Sequence, residues 1–156
     1  MDETSPSYSL ELLKIAIPDH KFLVTYSDLV NQLFAGGAAR QMRETVNKFR
    51  SHIQENLLEH FALEDDHVFP ALEAARPGEM VSQLLVELRA DHELLRAEAR
   101  QLEHLLSCDS GAGCPSAALR CAILKFVSNL RDHASKEHEL FLFLVGQYRQ
   151  SLEVEE

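Results

Sequence analysis

The spacing of apolar residues constrains this fold more than any other feature of the sequence. Over four long windows, apolar side chains recur every three or four positions, which is the period of an amphipathic α-helix. No segment alternates strictly enough between apolar and polar residues to favour a strand. Short connections between the windows force neighbouring helices to run in opposite directions. The sequence therefore predicts an all-α protein folded as an up-down-up-down four-helix bundle.

Proline and glycine mark the predicted ends of these helices. Pro18 suits the first turn of a helix and Gly36 its end, after a short apolar N-terminal lead-in segment. Pro70 bends or ends the second helix, and Pro77 opens the third. The small and polar residues before Pro115 indicate a loop. The predicted bounds are 19–35 for the first helix, 38–69 for the second and 116–150 for the fourth, with a loop over 108–115.

Length and charge limit the class of protein. The 156 residues suit one domain over 1–156, with its core at about residues 17–150. Fifteen Lys and Arg against 25 Asp and Glu give a formal charge of -10, so no nucleic-acid partner is expected. The first ten residues do not resemble a secretory signal, and no apolar stretch is long enough to predict a membrane span. Three cysteines are too few for a disulfide framework, which favours a cytoplasmic location.

Histidine and glutamate interrupt the apolar stripe of every predicted helix. The interruptions are His20 in the first helix, His60 and Glu64 in the second, His92 in the third, and His133 and Glu137 in the fourth. Each His-Glu pair is four residues apart, so both side chains point at one volume. Six interruptions in register on four helices predict a metal site.

The two halves of the chain repeat this pattern. Asp19-His20 precedes His60 by 40 positions, and Asp91-His92 precedes His133 by 41. Two related hairpins would supply two histidines each, with the glutamates able to bridge, so we expect a dinuclear centre. Imidazole and carboxylate ligands without thiolate indicate iron, manganese or zinc, and two bridging carboxylates favour iron or manganese.

Acidic residues directly precede all four candidate histidines. They are Asp19, Glu59, Asp91 and Asp132. An outer carboxylate can orient a metal-binding imidazole. Since the preceding residue lies about 100° around the helix from the histidine, such a contact would have to reach across helices or lie at the stripe edge.

These residues resemble the hemerythrin-like, HHE cation-binding domain family over residues 17–148. The signature is His20, His60-x-x-x-Glu64, His92 and His133-x-x-x-Glu137, supported by Glu64-Asp65-x-x-x-Phe69-Pro70. The resemblance implies a four-helix bundle with a non-haem diiron centre. It places His20 and His60 on one iron and His92 and His133 on the other, with Glu64 and Glu137 bridging.

Two departures from the oxygen-carrying hemerythrins narrow this resemblance. Arg96 stands where those proteins place a second histidine on the third helix, and Glu137 followed by His138 replaces their final aspartate. The four-His, two-Glu set is more similar to hemerythrin-like proteins that sense iron or oxygen, or that handle nitric oxide and repair iron-sulfur clusters.

We therefore expect a protein that binds or senses a small molecule, namely oxygen, nitric oxide or a redox or iron signal, at two iron ions. A diiron oxidoreductase of the peroxidase, nitric oxide reductase or cluster-repair type is an alternative. An interaction module with a structural metal is another, for which the sequence identifies no protein partner. The sequence leaves open whether His67 or a tyrosine, Tyr8 or Tyr26, adds a ligand, and whether Cys108 and Cys114 form a redox pair.

Overall fold

The computed structural model describes residues 19–108 and 116–154, and within them the side chains of 24–38, 40–108, 116–147 and 150. All regular secondary structure in these ranges is helical. The all-α prediction is therefore confirmed for the described part of the chain. In these same ranges, no helix combines the length and the hydropathy that a membrane crossing requires.

The first helix, α1, covers Asp19–Ala35, as predicted. The turn that follows contains Gly36 with φ 71° and Gly37 with φ 149°. Because residues with a side chain rarely adopt these φ angles, the two glycines allow the helix to end here and the chain to turn into the next helix.

The second helix, α2, runs from residue 39 to residue 74 and changes its winding along the way. It is α-helical over Ala39–Ser51, π-helical over His52–Leu57, α-helical over Leu58–Leu63, π-helical over Glu64–Val68 and α-helical over Phe69–Ala74. A π-turn holds one residue more than an α-turn, and such turns are frequent at functional sites.

Pro70 lies inside α2, so the prediction that this helix stops at residue 69 is wrong. A proline within an α-helix clashes with the carbonyl group four residues earlier. Here the backbone N–H of Phe69 donates to the carbonyl oxygen of Glu64, five residues back. The turn before Pro70 is therefore wider than an α-turn, which relieves the clash and lets the helix continue to Ala74.

The third and fourth helices, α3 and α4, cover Glu79–Cys108 and Ala117–Val154. The inward positions predicted on α3 are all buried; they are Leu85, Leu88, His92, Leu95, Ala99, Leu102 and Leu106. Those predicted on α4 are buried except for the half-buried Leu144; they are Ile123, Phe126, Leu130, His133, Glu137, Leu140 and Leu144. Residues 109–115, which carry most of the predicted loop, lie outside the described residues. Cys108 and Cys121 are exposed free thiols, whereas Cys114 lies in that segment.

Two clusters of buried apolar side chains form the core. The larger contains Phe61 of α2, Leu95 of α3 and Leu130 of α4. The smaller contains residues further along α2 and α4 and earlier on α3; they include Val68, Phe69, Leu88 and Leu140. Along these helices Glu64, His92, His133 and Glu137 fall between the two clusters, and His60 lies at the edge of the larger one, next to Phe61. The fold thus holds a polar layer between two apolar layers.

Candidate metal centre

Five of the six predicted ligands lie buried in this polar layer. None is more than 8% exposed, and His92 is completely buried. They are His60 and Glu64 on α2, His92 on α3, and His133 and Glu137 on α4. The sixth, His20, lies on α1, but its side chain is outside the described residues.

Four of these side chains converge on one point. Glu64, His92, His133 and Glu137 each offer one nitrogen or oxygen atom, and the four atoms all lie within 4.8 Å of one another. His60 is at the edge of this group, with its Nε2 3.2 Å from Glu64 Oε1. Two carboxylates and at least two imidazoles buried at this spacing can hold a cation.

The contacts in this cluster suit a metal better than they suit hydrogen bonds. His133 Nε2 lies 2.8 Å from Glu137 Oε1, and His92 Nε2 lies 3.1 Å from Glu64 Oε2. Yet both oxygens of Glu137, and Oε2 of Glu64, are buried without a hydrogen-bond partner among the described residues. Bonds of about 2.0–2.2 Å to a common metal, at right angles, would place neighbouring ligand atoms about 3 Å apart. The donor set therefore fits a bound metal.

The carboxylate of Glu64 faces imidazoles from two different helices. Its Oε1 lies 3.2 Å from His60 Nε2, and its Oε2 lies 3.1 Å from His92 Nε2. One carboxylate that presents each oxygen to a different imidazole has the arrangement needed to bridge two metals. Glu137 lies beside His133, with its Oε1 2.8 Å from His133 Nε2.

Burial and charge have opposite effects on the protonation of this cluster. Burial alone would raise the pKa of Glu64, but the nearby imidazoles of His60 and His92 favour its charged form and outweigh burial, so the pKa is lowered. Burial and repulsion from His92 together lower the pKa of His133 to about 4. An ionised Glu64 and a neutral His133 at neutral pH are the forms that bind a metal.

Aromatic rings cover the imidazole of His92. The ring of Phe61 is stacked on it with a centroid distance of 4.2 Å, and the ring of Phe69 is stacked at 5.4 Å. The Phe61 ring also meets His133 edge-on at 5.4 Å. These rings come from the two apolar layers and help shield His92, which is completely buried, from bulk water.

Outer carboxylates reach two of the histidines across helices. Asp91 Oδ2 lies 3.5 Å from His133 Nδ1, which is one instance of the expected cross-helix contact from an acid that precedes a histidine. The other carboxylate is Asp65, whose Oδ1 lies 2.8 Å from His92 Nδ1. Asp65 does not precede a histidine, so the search for acids before histidines missed it. The position of Asp65 directly after the candidate ligand Glu64 is the sequence feature that could have identified it.

The remaining acids of that pattern do not contribute a described contact. Glu59 and Asp132 are exposed, and the side chain of Asp19 lies outside the described residues. Each lies about 100° around its helix from the buried histidine, and at these two positions that direction faces solvent. Among the described acids that precede a histidine, only Asp91 approaches a candidate ligand on a neighbouring helix.

The structure does not bring His67 into the cluster. In a regular α-helix, His67 would return to the face of His60 after seven residues. The extra residue of the Glu64–Val68 π-turn gives the inward position to Val68, which is 1% exposed, and leaves His67 in solvent. His104 and His138 are also exposed.

Neither tyrosine named as a possible ligand is seen in contact with the cluster. Tyr26 is completely buried and packs edge-on against Phe49 and Phe126, with centroid distances of 5.5 and 6.0 Å. Tyr8 lies outside the described residues. Tyr26 therefore belongs to the apolar core.

Comparison with known families agrees with this cluster. The family model described as the hemerythrin HHE cation binding domain matches residues 15–144, more than four-fifths of the 156-residue chain. Searches of the curated proteins and of the solved structures gave no significant match.

Proposed function

The chain belongs to the hemerythrin HHE cation-binding domain family, and from that premise and the geometry of the buried cluster we propose a non-haem diiron protein that binds or senses a small molecule. The observation that carries the proposal is the Glu64 carboxylate, whose two oxygens face the Nε2 atoms of His60 and His92. A site for a single ion would not need one carboxylate presented to two separate imidazoles.

In this proposal the two halves of the chain each hold one iron. His20 and His60 belong to one position, and His92 and His133 to the other, with Glu64 and Glu137 between them. When bound, two irons supply redox chemistry and open coordination positions for a diatomic ligand. The protein's own residues bind the irons, orient the imidazoles and exclude water through Phe61 and Phe69.

Arg96 supports an open position beside His92. It occupies the place where the oxygen-carrying hemerythrins have a further histidine, so the family pattern lacks one ligand here. Its guanidinium donates to Asp65 Oδ2 at 2.7 Å and to Glu93 Oε1 at 2.9 Å. These hydrogen bonds hold Arg96 to the outer carboxylates, so it does not add a ligand to the Nε2 side of His92. We propose oxygen or nitric oxide as the molecule that takes the free position, because the buried layer admits only small ligands.

An up-down-up-down arrangement of the four helices is part of the same proposal. Contacts between adjacent helices support it. As the residue number rises along one helix, the number of its contact partner falls along the next, so the two helices run in opposite directions. The pairs are Asp91 with Lys136 and Glu98 with Asn129 between α3 and α4, and Arg50 with Glu103 and Asp65 with His92 between α2 and α3.

We also propose a cytoplasmic location. The exposed thiols of Cys108 and Cys121 support it, because such thiols persist in a reducing compartment. Fractionation of cells that express the protein tests this location, and recovery outside the cytoplasm would contradict it.

Anaerobic reconstitution with ferrous iron tests the function. We expect two irons per chain. After exposure to air or nitric oxide, the iron-loaded protein should absorb in the near-ultraviolet and visible range, where the metal-free protein does not. His133→Ala should lose iron and the absorption, whereas His138→Ala, an exposed position on the same helix, should retain both.

Other outcomes would replace the proposal. Binding of one iron per chain without colour would overturn the diiron centre. Turnover of peroxide or nitric oxide that is lost in His60→Ala would assign the oxidoreductase alternative instead. A metal-stabilised protein that is indifferent to oxygen and to reductants would assign a structural metal.

A further inference from the structure

Asp65 links His92, a histidine of the candidate metal centre, to the side chain of Arg96. Its Oδ1 lies 2.8 Å from His92 Nδ1, and its Oδ2 accepts a hydrogen bond from Arg96 Nη2 at 2.7 Å. The Asp65 side chain is 21% exposed and the Arg96 side chain 24%, so the pair is shielded from most of the solvent. Both carboxylate oxygens therefore have a fixed partner.

The chain repeats this arrangement around His133. Asp91 of α3 lies 3.5 Å from His133 Nδ1 on α4, and Lys136 Nζ donates to the same Asp91 oxygen at 2.8 Å. In both cases a carboxylate on one helix faces the Nδ1 atom of a histidine on the next helix. The cation follows that histidine by four residues in one case and by three in the other, which places it one helical turn away.

The two carboxylate–histidine arrangements differ in the hydrogen bonds that hold the histidine. The Asp65 copy contains a hydrogen bond to His92, whereas His133 Nδ1 has no hydrogen-bond partner among the described residues. Asp65 also has Arg96 as its cation, and Arg96 is itself tied to Glu93. His92 is therefore held more firmly than His133.

We propose that Asp65, anchored by Arg96, is a positioning residue that keeps the Nδ1 proton on neutral His92 and leaves Nε2 free as a donor atom. A neutral imidazole carries one proton, and the nitrogen without it has the lone pair that a metal can bind. Two carboxylates face this ring, and an ionised carboxylate can only accept a hydrogen bond. Asp65 Oδ1 is hydrogen-bonded to Nδ1 at 2.8 Å, whereas Glu64 Oε2 has no hydrogen-bond partner among the described residues, so the geometry assigns the proton to Nδ1. The Nε2 atom then faces Glu64 Oε2 and His133 Nε2, at 3.1 and 3.2 Å.

This inference rests on the proposed function because it assumes that His92 binds a metal. The position of the proton on the His92 ring can nevertheless be measured without any metal. Nitrogen-15 NMR of the metal-free protein at a pH where His92 is neutral reports which ring nitrogen carries the proton. We expect the Nδ1-protonated form in the parent protein and a shift toward the Nε2-protonated form in Asp65→Ala. Asp66→Ala is the matched control, because Asp66 is exposed in the same π-turn.

A titration with zinc, which is redox-inert, measures the consequence for metal binding. Loss of an outer carboxylate typically weakens a metal site about 10-fold to 100-fold, and we expect this range for Asp65→Ala and no change for Asp66→Ala. Arg96→Gln keeps the carboxylate but removes its anchor, so its affinity should fall between those of the parent and Asp65→Ala. If Asp65→Ala does not fold, the NMR measurement and the zinc titration are both made on Arg96→Gln.

The outcomes separate this inference from the proposed function. An unchanged Nδ1 proton in folded Asp65→Ala would overturn the positioning role, whatever the protein binds. If only Arg96→Gln folds, an unchanged Nδ1 proton together with an unchanged zinc affinity would overturn the proposal that Arg96 anchors Asp65 in this role. A proton that moves as expected, in a parent protein that binds one iron or none, would keep the positioning role and overturn the diiron proposal.

Discussion

The ring of Phe61 lies against the imidazole of His92, with a centroid distance of 4.2 Å and an angle of 22° between the two planes. Phe61 belongs to the larger apolar cluster and is 1% exposed. The Arg96 guanidinium carbon lies 6.0 Å from the centroid of the same ring. One aromatic side chain thus contacts both the candidate ligand and the residue that anchors its outer carboxylate.

Removal of the Phe61 ring should cost both stability and metal affinity. Truncation of a fully buried phenylalanine leaves a cavity and typically costs about 3–5 kcal/mol. We expect a loss of this size in the free energy of unfolding of metal-free Phe61→Ala, measured in urea, and weaker zinc binding in whatever fraction folds. Leu142→Ala, at a site that is 56% exposed, should change the unfolding free energy by less than about 0.5 kcal/mol. Equal losses in the two variants would contradict this account.

Substitution of Glu137 should affect the metal-free and the metal-bound protein in opposite directions. Both of its oxygens are buried without a hydrogen-bond partner in the described structure, so the ionised group is costly when no cation is bound. In the presence of a chelator, Glu137→Gln should raise the unfolding free energy by about 1–3 kcal/mol. With ferrous iron present, the parent protein should become the more stable of the two. Glu139→Gln, an exposed position two residues along α4, should match the parent under both conditions, and a destabilised metal-free Glu137→Gln would refute the prediction.

A third buried carboxylate, that of Glu98, lies outside the metal cluster and depends on Asn129 for its hydrogen bond. Glu98 is 7% exposed, and its Oε1 accepts a hydrogen bond from Asn129 Nδ2 at 2.7 Å. Lys125 lies 3.4 Å from the same oxygen but is mostly exposed, so it replaces Asn129 poorly. Asn129→Ala should therefore lower the unfolding free energy by about 1–3 kcal/mol in urea. Ser128→Ala, at the exposed neighbouring position, is the control, and an unchanged Asn129→Ala would show that Glu98 does not need this donor.

Tyr26 should make stability fall at alkaline pH. Its hydroxyl is buried without a hydrogen-bond partner among the described residues, and burial raises the pKa of the phenol well above its ordinary value of about 10. The folded protein keeps the proton where the unfolded chain loses it, so the contribution of Tyr26 is complete below pH 10 and declines as the pH rises above it.

A rapid pH jump to alkaline conditions, followed by phenolate absorbance, measures this effect. The part of the signal that belongs to Tyr26 should appear only at the rate of unfolding, and Tyr26→Phe should remove that part. Ionisation of all three tyrosines at once, before any unfolding, would be inconsistent with a buried phenol.

Local pattern was sufficient to predict most of the helices and most of the candidate site. Apolar spacing and glycine predicted α1 over residues 19–35, and the same spacing placed His60, Glu64, His92, His133 and Glu137 on inward faces. These features depend on residues within four positions of one another, and the geometry of a helix turns such spacing directly into a shared face.

The π-turns could not be predicted in this way. One extra residue in a turn leaves the apolar pattern recognisable on either side. The sequence therefore predicted a second helix that ends at residue 69 and left open whether His67 adds a ligand. The observed Glu64–Val68 turn carries α2 past Pro70 and turns His67 outward. Packing of Val68 into the smaller apolar cluster accompanies that winding.

The sequence by itself determined the helical period, the six candidate ligands and, through the family pattern, the kind of site they form. Only the tertiary structure decided that Asp65 reaches His92, that Asp91 reaches His133 and that Arg96 and Lys136 anchor these carboxylates. Spacing along one helix is set by covalent geometry and backbone hydrogen bonds. A contact between helices depends on their relative rotation and offset, which the packing of all the helices sets together.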